Sequence, residues 1–190
     1  MELEGWKSKM RLAVIGTSGA GKSTLAKKVS KKLSIKYIEQ DKYYWLPNWQ
    51  TVPIGRFMES IRKEISEESW TICGNHSNFQ EEIWKRATHL VWLNYPLSLL
   101  LTRGLRRTIR RVFLKETCCN GNHEGFRHAF LSKNSILWWI LTTYKDRIEK
   151  YENAKYVGKF NHLEFLEFKN PKETENWLKQ IEPNLVRTIL

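Results

Sequence analysis

Residues 11 to 24 read Arg11-Leu-Ala-Val-Ile-Gly-Thr-Ser-Gly-Ala-Gly-Lys-Ser-Thr24. An apolar run, Leu12 to Ile15, enters a glycine-rich turn that closes on Gly21-Lys22-Ser23. This is the G-x-x-x-x-G-K-[ST] pattern of a phosphate loop, set between a strand and a helix as that pattern requires. Gly16, Gly19 and Gly21 admit backbone dihedrals that a Cβ forbids. Amides across the loop, through Thr17, Ser18, Ala20 and Thr24, then turn toward phosphate oxygens at the positive end of the next helix. Lys22 adds a formal charge at the β- and γ-phosphates, and the Ser23 hydroxyl is offered to Mg²⁺. The expectation is a bound nucleotide, ATP with Mg²⁺, cradled by Gly16 to Thr24.

The rest of the chain supplies a parallel sheet for that loop. Leu25, Val29 and Leu33 recur at helical spacing, with Lys27, Lys28, Lys31 and Lys32 between them. Ile35 to Gln40 reads as a second strand ending at Asp41, followed by an aromatic segment expected as a loop, since Pro47 and Asn48 interrupt it. Ile54, Phe57, Met58, Ile61 and Ile65 form one stripe of a helix. Trp70 to Gly74 and His89 to Asn94 read as strands three and four, and Glu164 to Phe168 as the last. A closing helix begins at Pro171, with Thr174, Trp177, Leu178 and Ile181 on its inner face. Strands alternating with helices indicate βαβ units in a three-layer α/β architecture. One domain over residues 1–190 is expected, with residues 1–9 as an N-terminal extension.

Between Pro96 and about Lys115, Leu97, Leu101, Leu105, Ile109 and Val112 fall on one side of a helix. Arg103, Arg106, Arg107, Arg110 and Arg111 fall on the other, with no acidic partner within the helix. Guanidinium forks fit phosphate oxygens, so this stripe is expected to face an anion. The net charge of +12 fits a polyanionic ligand, whether nucleotide or nucleic acid. Cys73, Cys118 and Cys119 make an odd count and no disulfide framework, which points to a reducing, cytoplasmic setting. Cys118, Cys119, His123 and His128 lie close together but lack the C-x-x-C spacing of structural zinc. No leader is expected, because Glu2, Glu4, Lys7 and Lys9 interrupt the first residues, and Ile136 to Leu141 is too short to cross a bilayer.

Taken together, these stretches resemble the adenylate kinase-like P-loop family of DNA topology modulation proteins, over about residues 10 to 180. The resemblance is carried by the phosphate loop, by Asp41 followed by Trp45-Leu-Pro-Asn-Trp49, and by Trp70-Thr-Ile-Cys-Gly-Asn-His-Ser77. Arg86-Ala-Thr88, Leu93-Asn-Tyr-Pro96, the basic helix, Gly121-Asn-His-Glu124 and a Trp-rich helix from about Phe126 to Tyr151 extend it. It implies a nucleoside-monophosphate-kinase-like five-stranded parallel sheet with a helical lid over about residues 103–130. ATP would donate its γ-phosphoryl group to a small-molecule acceptor. The resemblance places that acceptor near Asp41, Trp45 and Trp49, with Asn75 and Arg86 from the matched stretches. Lys22, Asp41, Arg106, Arg107 and Arg110 would carry catalysis, since phosphoryl transfer is mostly positioning and charge neutralisation.

Three residues depart from the family pattern. Cys73 and Asn94 stand where the family has Asp, and His76 where it has Tyr. A thiol is a poor substitute for a hard oxygen ligand to Mg²⁺. By this reading Asp41 is the one obvious acid near the active face. Two alternatives follow: a nucleotide-binding protein with weakened turnover, or a basic nucleic-acid-binding protein using the arginines and nine tryptophans.

Overall fold

The computed structural model describes residues 10–126, 129, 132, 135–156 and 160–186. Five parallel strands form one sheet in the order β2-β3-β1-β4-β5. They are β1 (Arg11–Gly16), β2 (Lys36–Glu39), β3 (Trp70–Cys73), β4 (His89–Leu93) and β5 (Glu164–Phe168). The three central strands are short apolar runs because both of their faces are covered. Helices α1 (Lys22–Leu33), α5 (Leu97–Phe113) and α7 (Pro171–Val186) cover one face, where Leu12 and Val14 meet Leu25, Val29, Leu100 and Leu178. Helices α3 (Ile54–Ile65) and α4 (Ser77–Arg86) cover the other, where Ala13 and Ile15 meet Phe57, Ile61, Phe79 and Ile83. This is the three-layer α/β arrangement that the alternation of strands and helices implies.

Helix α6 (Ile136–Tyr156) belongs to both layers. Its first half places Ile136, Ile140 and Tyr144 in one core, and its second half places Ile148, Tyr151 and Ala154 in the other. It therefore crosses from one face of the sheet to the other, and the Tyr151 hydroxyl donates to Asn75 Oδ1 just beyond β3 at 3.3 Å. Arg147 sits between the two anchored halves. At the near end of α6, Ile140 packs against α5 at Gly104, where a Cβ would lie 2.9 Å from the Ile140 Cδ1.

Several expectations shift. Gln40–Tyr44 is a short helix, α2, rather than loop, and Asp41 lies in its first turn. The Trp-rich helix runs Ile136–Tyr156, and its first expected residues fall partly outside the described ones. Residues 1–9, His128 and the lid positions 127 and 130 also lie outside them. On α5 the buried line is Leu100, Gly104 and Thr108, while Leu105 and Ile109 are each 42% exposed. The apolar stripe read from the sequence is therefore packed only in its first half, through Leu97 and Leu101. The helix is docked by the small residue that lets α6 approach, and that rotation separates the arginines into two groups.

Candidate functional site

A cavity of about 550 Å³ opens at the C-terminal ends of the strands. This is where ligands bind in open parallel α/β sheets. One wall is the phosphate loop from Ser18 to Thr24. Gly19 has φ +86, and a Cβ there would lie 2.8 Å from the Leu100 carbonyl oxygen. The loop is thus pressed against the root of α5, and only glycine fits. Arg103 Nη1 donates to the Ala20 carbonyl at 3.3 Å, and its guanidinium stacks 5.5 Å over the Tyr95 ring. Lys22 Nζ donates to the Thr17 carbonyl oxygen at 3.1 Å, which folds the ammonium over the loop.

The rest of the lining mixes acids and guanidinium groups. Asp41, Glu39 and Cys73 belong to it with Arg103, Arg107 and Arg111 from α5. Burial, together with the positive charge of Arg147, lowers the Lys22 pKa to about 8 against the pull of Asp41 and Cys73. An anion seated on the loop relieves that penalty, so ligand binding should be accompanied by proton uptake near pH 8. Burial alone would raise the Asp41 pKa, but the His76 hydrogen bond and the charges of His76, Lys22 and Arg107 hold it below the usual carboxylate value. The Asp41 Oδ1 to His76 Nε2 distance is 3.1 Å. Asp41 is therefore an anion at neutral pH, suited to orienting a hydroxyl. Burial also lowers the Arg107 pKa, with Arg111 adding repulsion, and its Nε has no hydrogen-bond partner among the described residues. Such a buried donor is costly until it meets an anion.

The chemistry of the donors fits Mg²⁺, which takes hard oxygens. The Ser23 hydroxyl and the carboxylates of Glu39 and Asp41 share the cavity. Cys73 faces them as a neutral thiol, because burial pushes its pKa up despite hydrogen bonds with Tyr37 and Ser23. Asp41 is thus not the sole acid. Glu39 stands directly beside Cys73 in the sheet register. Asn94 does not face the cavity as expected for a lost site carboxylate. Its amide donates to Glu167 Oε1 at 2.9 Å, where an Asp would oppose a second carboxylate.

Other expected site residues separate. Arg107 reaches the cavity, whereas Arg106 and Arg110 are exposed and do not line it. Arg110 pairs with Glu116 and Arg111 with Glu124, so the following loop supplies the acids that the helix lacks. Asn75 is a brace: its Nδ2 donates to the Gly16 carbonyl oxygen at 2.6 Å. Arg86 lies at the far end of the sheet, donating to the Ile65 and Ser66 carbonyls. Trp45 and Trp49 stand behind Asp41, not on the cavity wall, with their rings 5.4 Å apart.

Those tryptophans belong to a clasp. The loop after α5 turns back and grips the aromatic segment. Asn120 Nδ2 donates to the Lys42 and Trp45 carbonyls, and Asn122 Nδ2 to the Leu46 carbonyl. In return Trp49 N donates to Asn122 Oδ1 and Trp49 Nε1 to the His123 carbonyl. These bonds hold Asn48 and Trp49 at φ 59 and 57, a left-handed conformation unusual for a bulky side chain. Neither the clasp nor Arg147 has a local signal in the chain. Glu39 has one: two carboxylates spaced i, i+2 at a strand end.

A parallel sheet of this order, with a phosphate loop after its central strand, defines a P-loop NTPase of kinase-like fold. In comparison with known proteins, the NB-ARC domain matches residues 3–95, just under half of the chain. The chain is 27% identical over 132 residues to the uncharacterized protein YqaC of Bacillus subtilis (strain 168), covering 67% of this chain and 72% of that one. The fold is similar to shikimate kinase from Acinetobacter baumannii, solved in complex with shikimate, at a TM-score of 0.58 and 12% identity over 99% of both chains. It is also similar to shikimate kinase from Bacteroides thetaiotaomicron, at a TM-score of 0.50 and 18% identity over 93% of this chain and 98% of that one. At such identities these two structures establish the fold. No helix among the described residues is long and apolar enough to cross a membrane.

Proposed function

We propose that this protein binds ATP with Mg²⁺ on the phosphate loop and transfers the γ-phosphoryl group to a small hydroxylated acceptor, within the cytoplasm. The observation that carries this reading is the meeting of Lys22, Asp41 and Arg107 around one cavity beside the loop. In it Lys22 and Arg107 neutralise charge on the moving phosphoryl group, and Asp41 orients the attacking hydroxyl. Ser23, with Glu39 and Asp41, would hold Mg²⁺, which supplies charge neutralisation at the β- and γ-phosphates. The series of motifs from Asp41 to Glu124 supports the narrower kinship with the topology modulation proteins.

Cys73 favours a second reading, nucleotide binding with slow turnover, because its neutral thiol occupies a place on the cavity wall. A nucleic-acid interface on α5 is less supported, since Arg110 and Arg111 are already paired with Glu116 and Glu124. A double comparison tests the phosphotransfer reading. Arg107→Ala should lower Mg²⁺-dependent ATP turnover by about a hundredfold, within the range for removing one charge-stabilising donor. Arg106→Ala should change it less than threefold. Equal effects, measured by phosphorus NMR with a panel of hydroxylated acceptors, would remove Arg107 from the chemistry.

A further inference from the structure

Phosphotransfer makes no use of the adjacent thiols Cys118 and Cys119, although they form the turn of the clasp. Cys118 exchanges both backbone hydrogen bonds with Asn122, at 2.9 and 2.8 Å. Cys119 and Asn120 complete the turn at φ 30 and 60. The Cys119 carbonyl oxygen accepts from Asn122 Nδ2 at 2.7 Å, and that same amide group holds Leu46. The residue that grips the aromatic segment is thus itself tied, through backbone and side chain, to the two cysteines. The Cys118 Sγ donates to the Asn122 carbonyl oxygen at 3.5 Å, and each of the two adjacent thiols shifts the titration of the other. Cys118 is buried, Cys119 is half-buried, and both are free thiols.

We infer that Cys118–Cys119 is a modification site that takes a peroxide, closes to a vicinal disulfide and releases the clasp. The Cys118 sulfur is the attacking atom. The hydrogen bond from Cys119 lowers its pKa to about 7, against burial, and the positive charge of Arg111 and Arg107 assists. The same hydrogen bond raises the pKa of Cys119, which keeps its proton. The Cys118 thiolate attacks one peroxide oxygen, the O–O bond breaks, and hydroxide leaves to become water. The resulting sulfenic acid is attacked by the Cys119 sulfur, which loses its proton, and a second water leaves. Two thiols are oxidised and one peroxide is reduced to two waters.

The ring has to form between residues whose Cα atoms are about 3.8 Å apart, below the usual disulfide span of about 4.4–6.8 Å. Closure therefore twists the backbone at Cys118 and Cys119, and the bonds to Asn122 are lost. A strained, reachable disulfide of this kind is readily reduced, so the step is reversible by a dithiol. Cys73 does not compete as attacking thiol, because burial holds it protonated. Any effect on nucleotide turnover rests on the phosphotransfer reading, but the bond and the clasp do not.

The full chain is treated at pH 7 with stoichiometric hydrogen peroxide, alkylated and digested with trypsin. The peptide 116–127, released by cleavage after Lys115 and Arg127, should lose two hydrogens and take no alkyl group. Dithiothreitol should restore both sites. In Cys119→Ser, Cys118 should stop as a sulfenic acid that a dimedone probe traps. Hydrogen exchange of the Trp49 amide should rise at least tenfold on oxidation of the wild type and stay unchanged in Cys118→Ser, while the β1 and β4 amides stay protected. A peptide carrying only sulfinic acid, or two alkylated thiols after peroxide, would overturn the site. A disulfide with unchanged Trp49 exchange would overturn the release. None of these readouts involves ATP.

Discussion

The phosphate loop at the cavity and the clasp away from its wall are built on different principles. The phosphate loop is held by its own chain: a buried strand, glycines at positive φ, and a carbonyl of α5 so close that no side chain fits at Gly19. The clasp joins two segments far apart in sequence, through side-chain amides and an indole that reach backbone carbonyls. It buries little apolar surface, and Leu46 and Trp49 are 39% and 38% exposed. Close packing makes the loop rigid, whereas a few hydrogen bonds let the clasp open locally while the sheet stays folded. The proposed phosphoryl transfer would draw on both properties, since it needs a preformed phosphate cradle and a way in for an acceptor.

The sharpest way to break this contrast is Gly19→Val. A β-branched residue at φ +86, against the Leu100 carbonyl, should displace the loop and weaken ATP binding by about a hundredfold, near 2.7 kcal/mol. Circular dichroism should show the sheet intact. Binding that survives in the folded variant would mean that the loop is not preformed.

Next in size is Asn122→Ala. It removes three side-chain hydrogen bonds at a residue only 3% exposed. At roughly 1 kcal/mol each, less what water restores, opening of the clasp should become easier by about 2 kcal/mol. Exchange of the Trp49 amide should then quicken by about thirtyfold, with exchange in β1 and β4 unaltered. If the whole sheet exchanges faster, the clasp belongs to the core and the contrast fails.

The same division explains what was legible in the sequence. The five strands and the phosphate loop are local patterns: apolar runs of strand length and a fixed spacing of glycine, lysine and serine. The arginine stripe was visible as charge, but its rotation was not, because Gly104 and Ile140 set it across thirty-six residues of chain. That is why Arg107 reaches the cavity and Arg106 does not. Arg147 was hidden for a similar reason: only the crossing of α6 from one core to the other brings its charge near Lys22. Asn94 was misread because its partner, Glu167, comes from the last strand. Asn120 and Asn122 looked like ordinary turn residues, and nothing near them names the carbonyls they hold.

A smaller effect sharpens the account of the metal. Since Glu39 stands beside Cys73 in the register, a carboxylate already lines the cavity along with Ser23. Glu39→Gln should raise the Mg²⁺ concentration needed for half-maximal ATP binding by about tenfold, near 1.4 kcal/mol. Cys73→Asp should shift it less than threefold, because a second carboxylate there meets the repulsion of the first. A tenfold gain from Cys73→Asp would show that the site lacks the carboxylate it needs.

The central claim is that Lys22, its pKa lowered by burial in a positive surrounding, is the charge that awaits the nucleotide phosphates. Calorimetric titration of MgATP into the wild type and Lys22→Ala, at pH 8 in buffers of different ionisation heat, measures this directly. A charge-assisted phosphate contact is worth about 1.5–3 kcal/mol, so Lys22→Ala should bind at least tenfold more weakly. The wild type should take up a fraction of a proton on binding, because the phosphates restore the lysine's charge, and the variant should take up correspondingly less. Equal affinities and equal proton uptake in two folded proteins would contradict the account.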